Sequence, residues 1–253
     1  MYYINMNTNS SNSSLLNRAV DAHGGLERWR EVRYLDVRLS VSGGLFQIKG
    51  QPEGLHDVFM RIQTQRPAVT IVPFGRPDCR GHFTPTRVWI EDRECRVVEE
   101  RADPRASFAG HVFETPWDRL QLLYFTGYAN WNYFTAPFLL TQSGVNVREI
   151  GPHEEHGETW QRLQVQFPST VPTHSAEQTF YFNEKGLLQR LDYVAEVAGA
   201  VGAHYSFDHA SFSGLVFPTL RRVVGLTPTG PLISGPTAIL LPISDIMVSK
   251  TYD

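Results

Sequence analysis

Residues 117–140 read WDRLQLLYFTGYANWNYFTAPFLL, with eight aromatic side chains between Trp117 and Phe138. They are Trp117, Tyr124, Phe125, Tyr128, Trp131, Tyr133, Phe134 and Phe138. Pro116 suits the first turn of a helix opening at Trp117, where a missing N–H is no loss, and Pro137 should break or kink that helix. The segments on either side alternate as antiparallel strands do. A helical, aromatic insert in a mostly β protein must lay its rings on something, and the concave face of the sheet is the partner this pattern predicts. Such an arrangement covers a pocket for an apolar small molecule.

Working outward, residues 14–31 (SLLNRAVDAHGGLERWRE) form a helix capped by Ser13 or Ser14. Leu15, Leu16, Ala19, Val20 and Ala22 make its apolar stripe, and Gly24-Gly25 ends or breaks it before a second turn. Residues 33–41 alternate, with Leu35, Val37, Leu39 and Val41 on one face and Tyr34, Asp36, Arg38 and Ser40 on the other. Gly43-Gly44 turns the chain into 45–50, and further strands are read at 56–64, 68–73, 86–92 and 94–101. The insert spans 103–142. Beyond it Leu163, Val165 and Phe167 alternate with Arg162, Gln164 and Gln166. Phe180-Tyr181-Phe182, the turn Asn183-Glu184-Lys185-Gly186 and residues 187–197 make a hairpin. Strands at 204–210, 217–225 and 238–249 follow. No internal repeat and no separating linker appears, so one domain is expected over 14–253 after a polar, disordered tail at 1–13. The predicted fold is mainly β (α+β): a strongly curved antiparallel half-barrel of about ten strands, with an N-terminal helix and the aromatic insert covering its concave face.

Composition narrows the function. The 253 residues carry a net charge of −3, which gives no electrostatic case for nucleic acid or for stable association with an anionic membrane. No apolar run approaches the roughly 18 residues of a membrane span. The start lacks a basic segment followed by an apolar one, and Cys79 and Cys95 are the only cysteines. A cytoplasmic location with reduced thiols is therefore expected. GxSxG, the P-loop, GxGxxG and CxxC are all absent, which argues against serine hydrolysis, nucleotide cofactors and zinc ribbons. The sequence implies no cofactor and no metal. His153, Glu154, Glu155, His156 and Glu158 cluster as HEEHGE, but Gly151-Pro152 and Gly157 place them in a solvated turn rather than in a ligand spacing.

Three groups carry candidate chemistry. In AHYSFDH, strand parity puts His204, Ser206 and Asp208 on one face and Tyr205, Phe207 and His209 on the other. The apolar companions of His209 turn it toward the cavity as a general base; a bulge would swap the two faces. GHVFETPWD sets His111 and Glu114 at a pocket mouth as candidate acids, with Glu114 desolvated beside Trp117 and Phe113. The simpler reading has Glu114 solvated and Asp118 complementing the helix dipole. Trp117, Tyr124, Tyr128, Trp131, Tyr133 and Phe134 of the insert, with Tyr193 and Tyr205, are the candidate substrate-binding rings. Of Arg221 and Arg222 one must face inward, and Arg221 is the candidate for orienting an anionic group.

The layout of a helix with AHGGLERW, a long meander, a helical insert, then YFNEKGLLQRLDY and GLVFPTLRRV resembles the LolA-like lipoprotein-carrier superfamily. The run from Phe113 to Val224 is also similar to a group of uncharacterised bacterial proteins. The LolA resemblance implies an incomplete β-barrel wrapped on helices that plug an apolar cavity. Carriers of that group are exported, and no export signal is visible here, so the cavity is retained as a binding or reaction chamber and lipoprotein transport is set aside. The first functional expectation is a cytoplasmic, cofactor-independent enzyme that cyclises, isomerises or eliminates on a hydrophobic small molecule. The alternative is a noncatalytic carrier or sensor of such a molecule. An ionisable group inside the pocket separates the two, because proton transfer needs one and carriage does not. Oligomeric state is not legible.

Overall fold

A computed structural model describes residues 14–251. The tail expected at 1–13 lies outside the described residues. Helices α1 (Ser14–Ala22) and α2 (Leu26–Glu31) are separated where Gly24 and Gly25 adopt positive φ. A Cβ at Gly24 would meet the Gly214 carbonyl oxygen at 2.4 Å, so the N-terminal turn sits directly on the loop after residue 213. α1 buries Leu15, Leu16, Ala19 and Val20 of the predicted stripe, and leaves its fifth member, Ala22, half-buried.

Strand β1 (Tyr34–Val41) buries Leu35, Val37, Leu39 and Val41, as its alternation requires. The next segment departs from the sequence reading. Gly44–Ile48 is a short helix, α3, because adjacent Leu45 and Phe46 are both buried, which one face of a strand does not allow. Strands β2 (Leu55–Gln63), β3 (Ala68–Val72), β4 (Arg80–Thr84), β5 (Arg87–Glu91) and β6 (Val97–Ala102) complete a plain meander. Helix α4 (Arg119–Thr135) follows, then β7 (Asn146–Glu155), β8 (Glu158–Gln166), β9 (Glu177–Phe182), β10 (Leu188–Ala195), β11 (Ala200–Phe212), β12 (Leu215–Thr227), β13 (Gly230–Pro231) and β14 (Ile239–Ser249).

The sheet has 14 strands rather than about ten, in the order β6-β5-β4-β3-β2-β1-β14-β12-β11-β10-β9-β8-β7, with β13 pairing only with β12. The first and last strands meet at its centre, where Tyr34 opposes Ser249 and Val37 opposes Ile246. β6 and β7 form opposite edges and do not pair, so the curved sheet stays open. Those two strands are consecutive in the chain, so the segment joining them must cross the concave face. That segment is α4.

α4 is buried on every side from Leu120 to Thr135, with only Arg119 outside. A helix apolar or neutral all round needs such an enclosure. It begins at a capping box: the Gln121 amide donates to the Asp118 carboxylate at 2.8 Å, and the Asp118 amide donates to the Gln121 side chain at 3.0 Å. It ends before Pro137, as predicted. At its middle, Gly127 lets the helix close on Phe83 of β4.

Candidate functional site

An apolar pocket of about 340 Å³ opens where α3, the approach to α4 and the ends of β10–β12 meet. Leu45 and Ile48 of α3, Phe113, Phe125 of α4, Val223 and Leu232 form much of its wall. No Asp, Glu, His, Lys or Arg lines it. Two polar side-chain groups do, and both are engaged. The Tyr193 hydroxyl bonds the Tyr133 hydroxyl at 3.0 Å, and the Thr237 hydroxyl accepts from Arg222 Nε at 3.0 Å.

The pocket's inner wall is held by a histidine that sequence reasoning missed. His174, in the loop between β8 and β9, stacks flat on Tyr193 with ring centroids 4.0 Å apart. Its Nδ1 bonds the Tyr128 hydroxyl at 3.0 Å and its Nε2 bonds the Tyr133 hydroxyl at 2.7 Å. Burial, with a smaller push from Arg105, brings the imidazole down to about 3, so it is neutral and serves one tyrosine as donor and the other as acceptor. The phenols are likewise pushed up by burial and stay protonated. This network fixes Tyr193 in place; it offers no group poised to move a proton near neutral pH.

The pocket's rim depends on a second missed residue. Lys49 is 0% exposed, and its Nζ donates to the carbonyls of Phe113 at 2.5 Å, Ala198 at 3.0 Å and Val112 at 3.3 Å. It lies 5.2 Å from the Trp117 ring centroid and 5.4 Å from that of Phe113. Phe113 and Ala198 both line the pocket, so one buried ammonium ties two of its walls. Lys49 is one of only three lysines in the chain, which was the available signal.

Of the candidate binding residues, Tyr193 lines the pocket and the others stand elsewhere. Tyr124 packs against Phe83 and Tyr128, and Trp131 donates to the Gln63 carbonyl at 2.9 Å. Trp117 packs on Phe108 and Phe125, and Phe134 on Phe217. Tyr133 reaches the pocket only through Tyr193. Tyr205 faces the opposite side of the sheet, where its hydroxyl donates to Glu155; HEEHGE is not a solvated turn but the β7–β8 hairpin end, with His153–Glu155 in β7 and Glu155 largely buried against Arg190. Arg221 is buried on the inner side, whereas Arg222 points outward to the loop after β13, donating to the Ile233 carbonyl.

The candidate acid–base groups do not converge. Glu114 is exposed, so water rather than Trp117 surrounds it. His111 packs on Phe108 outside the pocket lining. Asp208, at φ 54°, interrupts the alternation of β11. His204 and Ser206 before it share a face, as parity pairs them, but that face is the buried inner one, while Phe207 is 41% exposed. His209 after it lies beside His23, with ring centroids 6.4 Å apart, and not at the pocket.

No family model matches the chain, and no curated protein does. Solved structures do. A DUF1329 family protein from Desulfovibrio piger aligns with a TM-score of 0.55 at 12% identity, over 93% of this chain and 92% of that one. A putative outer membrane lipoprotein-sorting protein domain from Vibrio parahaemolyticus aligns at 0.53 and 8% identity, over 94% and 92%. A LolA superfamily protein from Nitrosomonas europaea aligns at 0.51 and 9% identity, over 93% and 92%. The expectation of a cofactor-independent cyclase, isomerase or lyase is corrected by these findings. One of the structures that share the fold is described as a putative lipoprotein-sorting domain and none of the three as an enzyme, and the pocket holds no ionisable group within its lining except Tyr193. The cytoplasmic expectation finds no support in them either; no helix among the described residues is long and apolar enough to cross a membrane. At identities this low the likeness concerns architecture, and the architecture is plain: this chain has the LolA-like fold.

Proposed function

We propose that this protein binds and carries a hydrophobic small molecule without transforming it. The observation that carries the reading is the pocket lining: about 340 Å³ of space, walled by aliphatic and aromatic groups, with its two polar side-chain groups already bonded to the protein. A cavity of this size falls at the small end of the ~300–1,000 Å³ range of ligand sites. Each methylene moved from water into it contributes roughly 0.8 kcal/mol, so affinity grows with chain length until the space is filled. The fold shared with a lipoprotein-sorting domain supports the same reading.

The test uses N-phenyl-1-naphthylamine, an uncharged dye whose fluorescence rises in apolar sites, together with organic extraction of the protein purified from its source. The wild type should bind the dye and yield an extractable apolar compound. Ala200→Phe, which adds a ring at a half-buried lining position, should weaken dye binding at least tenfold while leaving the fold intact. Equal dye binding by both proteins, or none by the wild type, contradicts the proposal.

A further inference from the structure

A second group of side chains lies on the same inner face, one step along the strands from the pocket, and the binding reading above leaves it unused. Val223, in the pocket wall, opposes His204 across β11 and β12, and the next same-face pair is Ser206 opposite Arg221. These groups gather around Tyr133. The His204 ring meets the Tyr133 ring edge-on at 4.3 Å, and the Arg221 guanidinium carbon lies 5.4 Å from the same centroid.

Their polar atoms are largely unpaired. Arg221 is 2% exposed, and its Nη2 donates to the Tyr133 carbonyl at 2.7 Å, but its Nε has no hydrogen-bond partner among the described residues. No carboxylate pairs with it among them. Ser206 Oγ and both ring nitrogens of His204 are buried without a partner as well. His23 Nε2 and His209 Nε2 complete the set; the Nδ1 of His23 is engaged by the Ala19 carbonyl at 2.7 Å. Burial first, and then the Arg221 charge, hold His204 and His209 below the ordinary histidine range, so these imidazoles are neutral.

The protein's other buried arginine shows what a structural solution looks like. Arg190, on the outer face, is 3% exposed and bonds both Asp192 and Glu155. A buried cation without a countercharge carries a heavy desolvation penalty, and native proteins pair nearly all buried polar atoms. Water can fill hydrogen bonds but brings no charge.

We infer that Arg221, Ser206 and His204 form a buried site for an oxyanion of the carboxylate or phosphate class. Arg221 Nε–H and the Ser206 hydroxyl donate to it, and His204 contributes one N–H in either tautomer. Because the site continues the pocket along one sheet face, the anion is the head group of the carried molecule; this last step rests on the proposed binding function.

The test compares decanoate, decanol and inorganic phosphate on the delipidated wild type, Arg221→Met and Ser206→Ala, by calorimetry and thermal unfolding. The wild type should bind decanoate at least tenfold more tightly than decanol, and Arg221→Met should bind the two alike. Ser206→Ala, which keeps the cation and removes one donor, should lose several-fold in decanoate affinity and none in decanol affinity; it decides the matter if Arg221→Met does not fold. Phosphate that raises the Tm of the wild type and not of Ser206→Ala, with neither ten-carbon ligand bound, supports the anion site for a free anion and defeats the hydrophobic-ligand reading. Equal binding of decanoate and decanol by the wild type, with no response to phosphate, overturns the anion site and leaves that reading standing. Silence toward all three overturns both.

Discussion

Gly127→Ala sets two physical rules against each other in the middle of α4. Intrinsic helix propensity favours alanine over glycine by about 1 kcal/mol in a helix interior. The packing opposes it. A Cβ at Gly127 would lie 2.4 Å from both Cβ and Cγ of Phe83, and 2.9 Å from its Cδ2. Phe83 Cβ is fixed to the backbone of β4, so no rotamer change clears it. The contact is glycine-limited from the other side too, because a Cβ at Gly81 of β4 would meet Leu123 Cδ1 at 2.7 Å. Relief requires lifting α4 from the sheet, and overpacking that shifts backbone falls at the upper part of the usual ~1–3 kcal/mol or beyond it. With the propensity gain subtracted, the net loss is about 2 kcal/mol, or roughly 4–8 °C in Tm for a chain of this size. Thermal and urea unfolding followed by circular dichroism measure it. In a Phe83→Gly background, which removes the Cβ as well as the ring, the obstacle is gone, and the same Gly127→Ala change should be neutral or stabilise by up to about 1 kcal/mol. A rise in Tm for Gly127→Ala in the wild-type background would refute the account of how α4 seats.

Two further perturbations address the pocket's supports. Lys49→Met removes the donor to the Val112, Phe113 and Ala198 carbonyls. Hydrogen bonds to a charged group contribute about 1.5–3 kcal/mol each in favourable cases, but the relieved burial of the ammonium offsets part of this. A loss of about 2–3 kcal/mol is expected, with faster amide exchange at residues 112–117; unchanged exchange there would remove Lys49 as the tie across the rim. The second perturbation is acid. Burial is the leading cause that brings His174 down to about 3, His23 to about 4 and His204 well below its ordinary value. The folded state therefore stays unprotonated at these sites while the unfolded chain takes up protons below about pH 6.5. Stability is full above that pH and falls as the pH drops toward the folded values, by about 3 kcal/mol between pH 6.5 and 5 from His174 and His23 together, with His204 acting in the same direction. Urea midpoints that stay constant from pH 7 to pH 5 would contradict the buried, neutral state of the three histidines.

What could be read in advance, and what could not, follows from where each signal arises. β1 was legible because one of its faces is core and the other is solvent, so alternation records burial directly. α4 was legible because its aromatics have no polar face to match, which demands enclosure. β7 was not: as an edge strand it has no fully buried residue, and its alternation of exposed and half-buried positions slips where the register shifts between Glu149 and Gly151. The inner set around His204 was assigned to the wrong face because parity counts residues, whereas the left-handed backbone at Asp208 resets the count. His174 and Lys49 gave no periodic signal at all. One sits in the loop between β8 and β9 and the other just after α3, and their importance comes from partners about 20 to 150 residues away in sequence.

The three buried cations together say more than any one of them. Lys49 is met by backbone carbonyls, and Arg190 by two carboxylates and the faces of Tyr181 and Tyr205. In each case the fold supplies what desolvation takes away, and the charge serves the architecture. Arg221 stands apart. It has one backbone carbonyl and two aromatic rings for company, and its neighbours on the same face, Ser206 and His204, are themselves unpaired. An apolar residue in its place would fill the same space without the desolvation penalty, so stability alone gives no reason for a guanidinium there. No countercharge meets it among the described residues, and the anion proposed above supplies one. Val223, two residues from Arg221 along β12, and Tyr193, beside His204, both line the pocket, so the side from which the proposed anionic ligand arrives is the pocket itself.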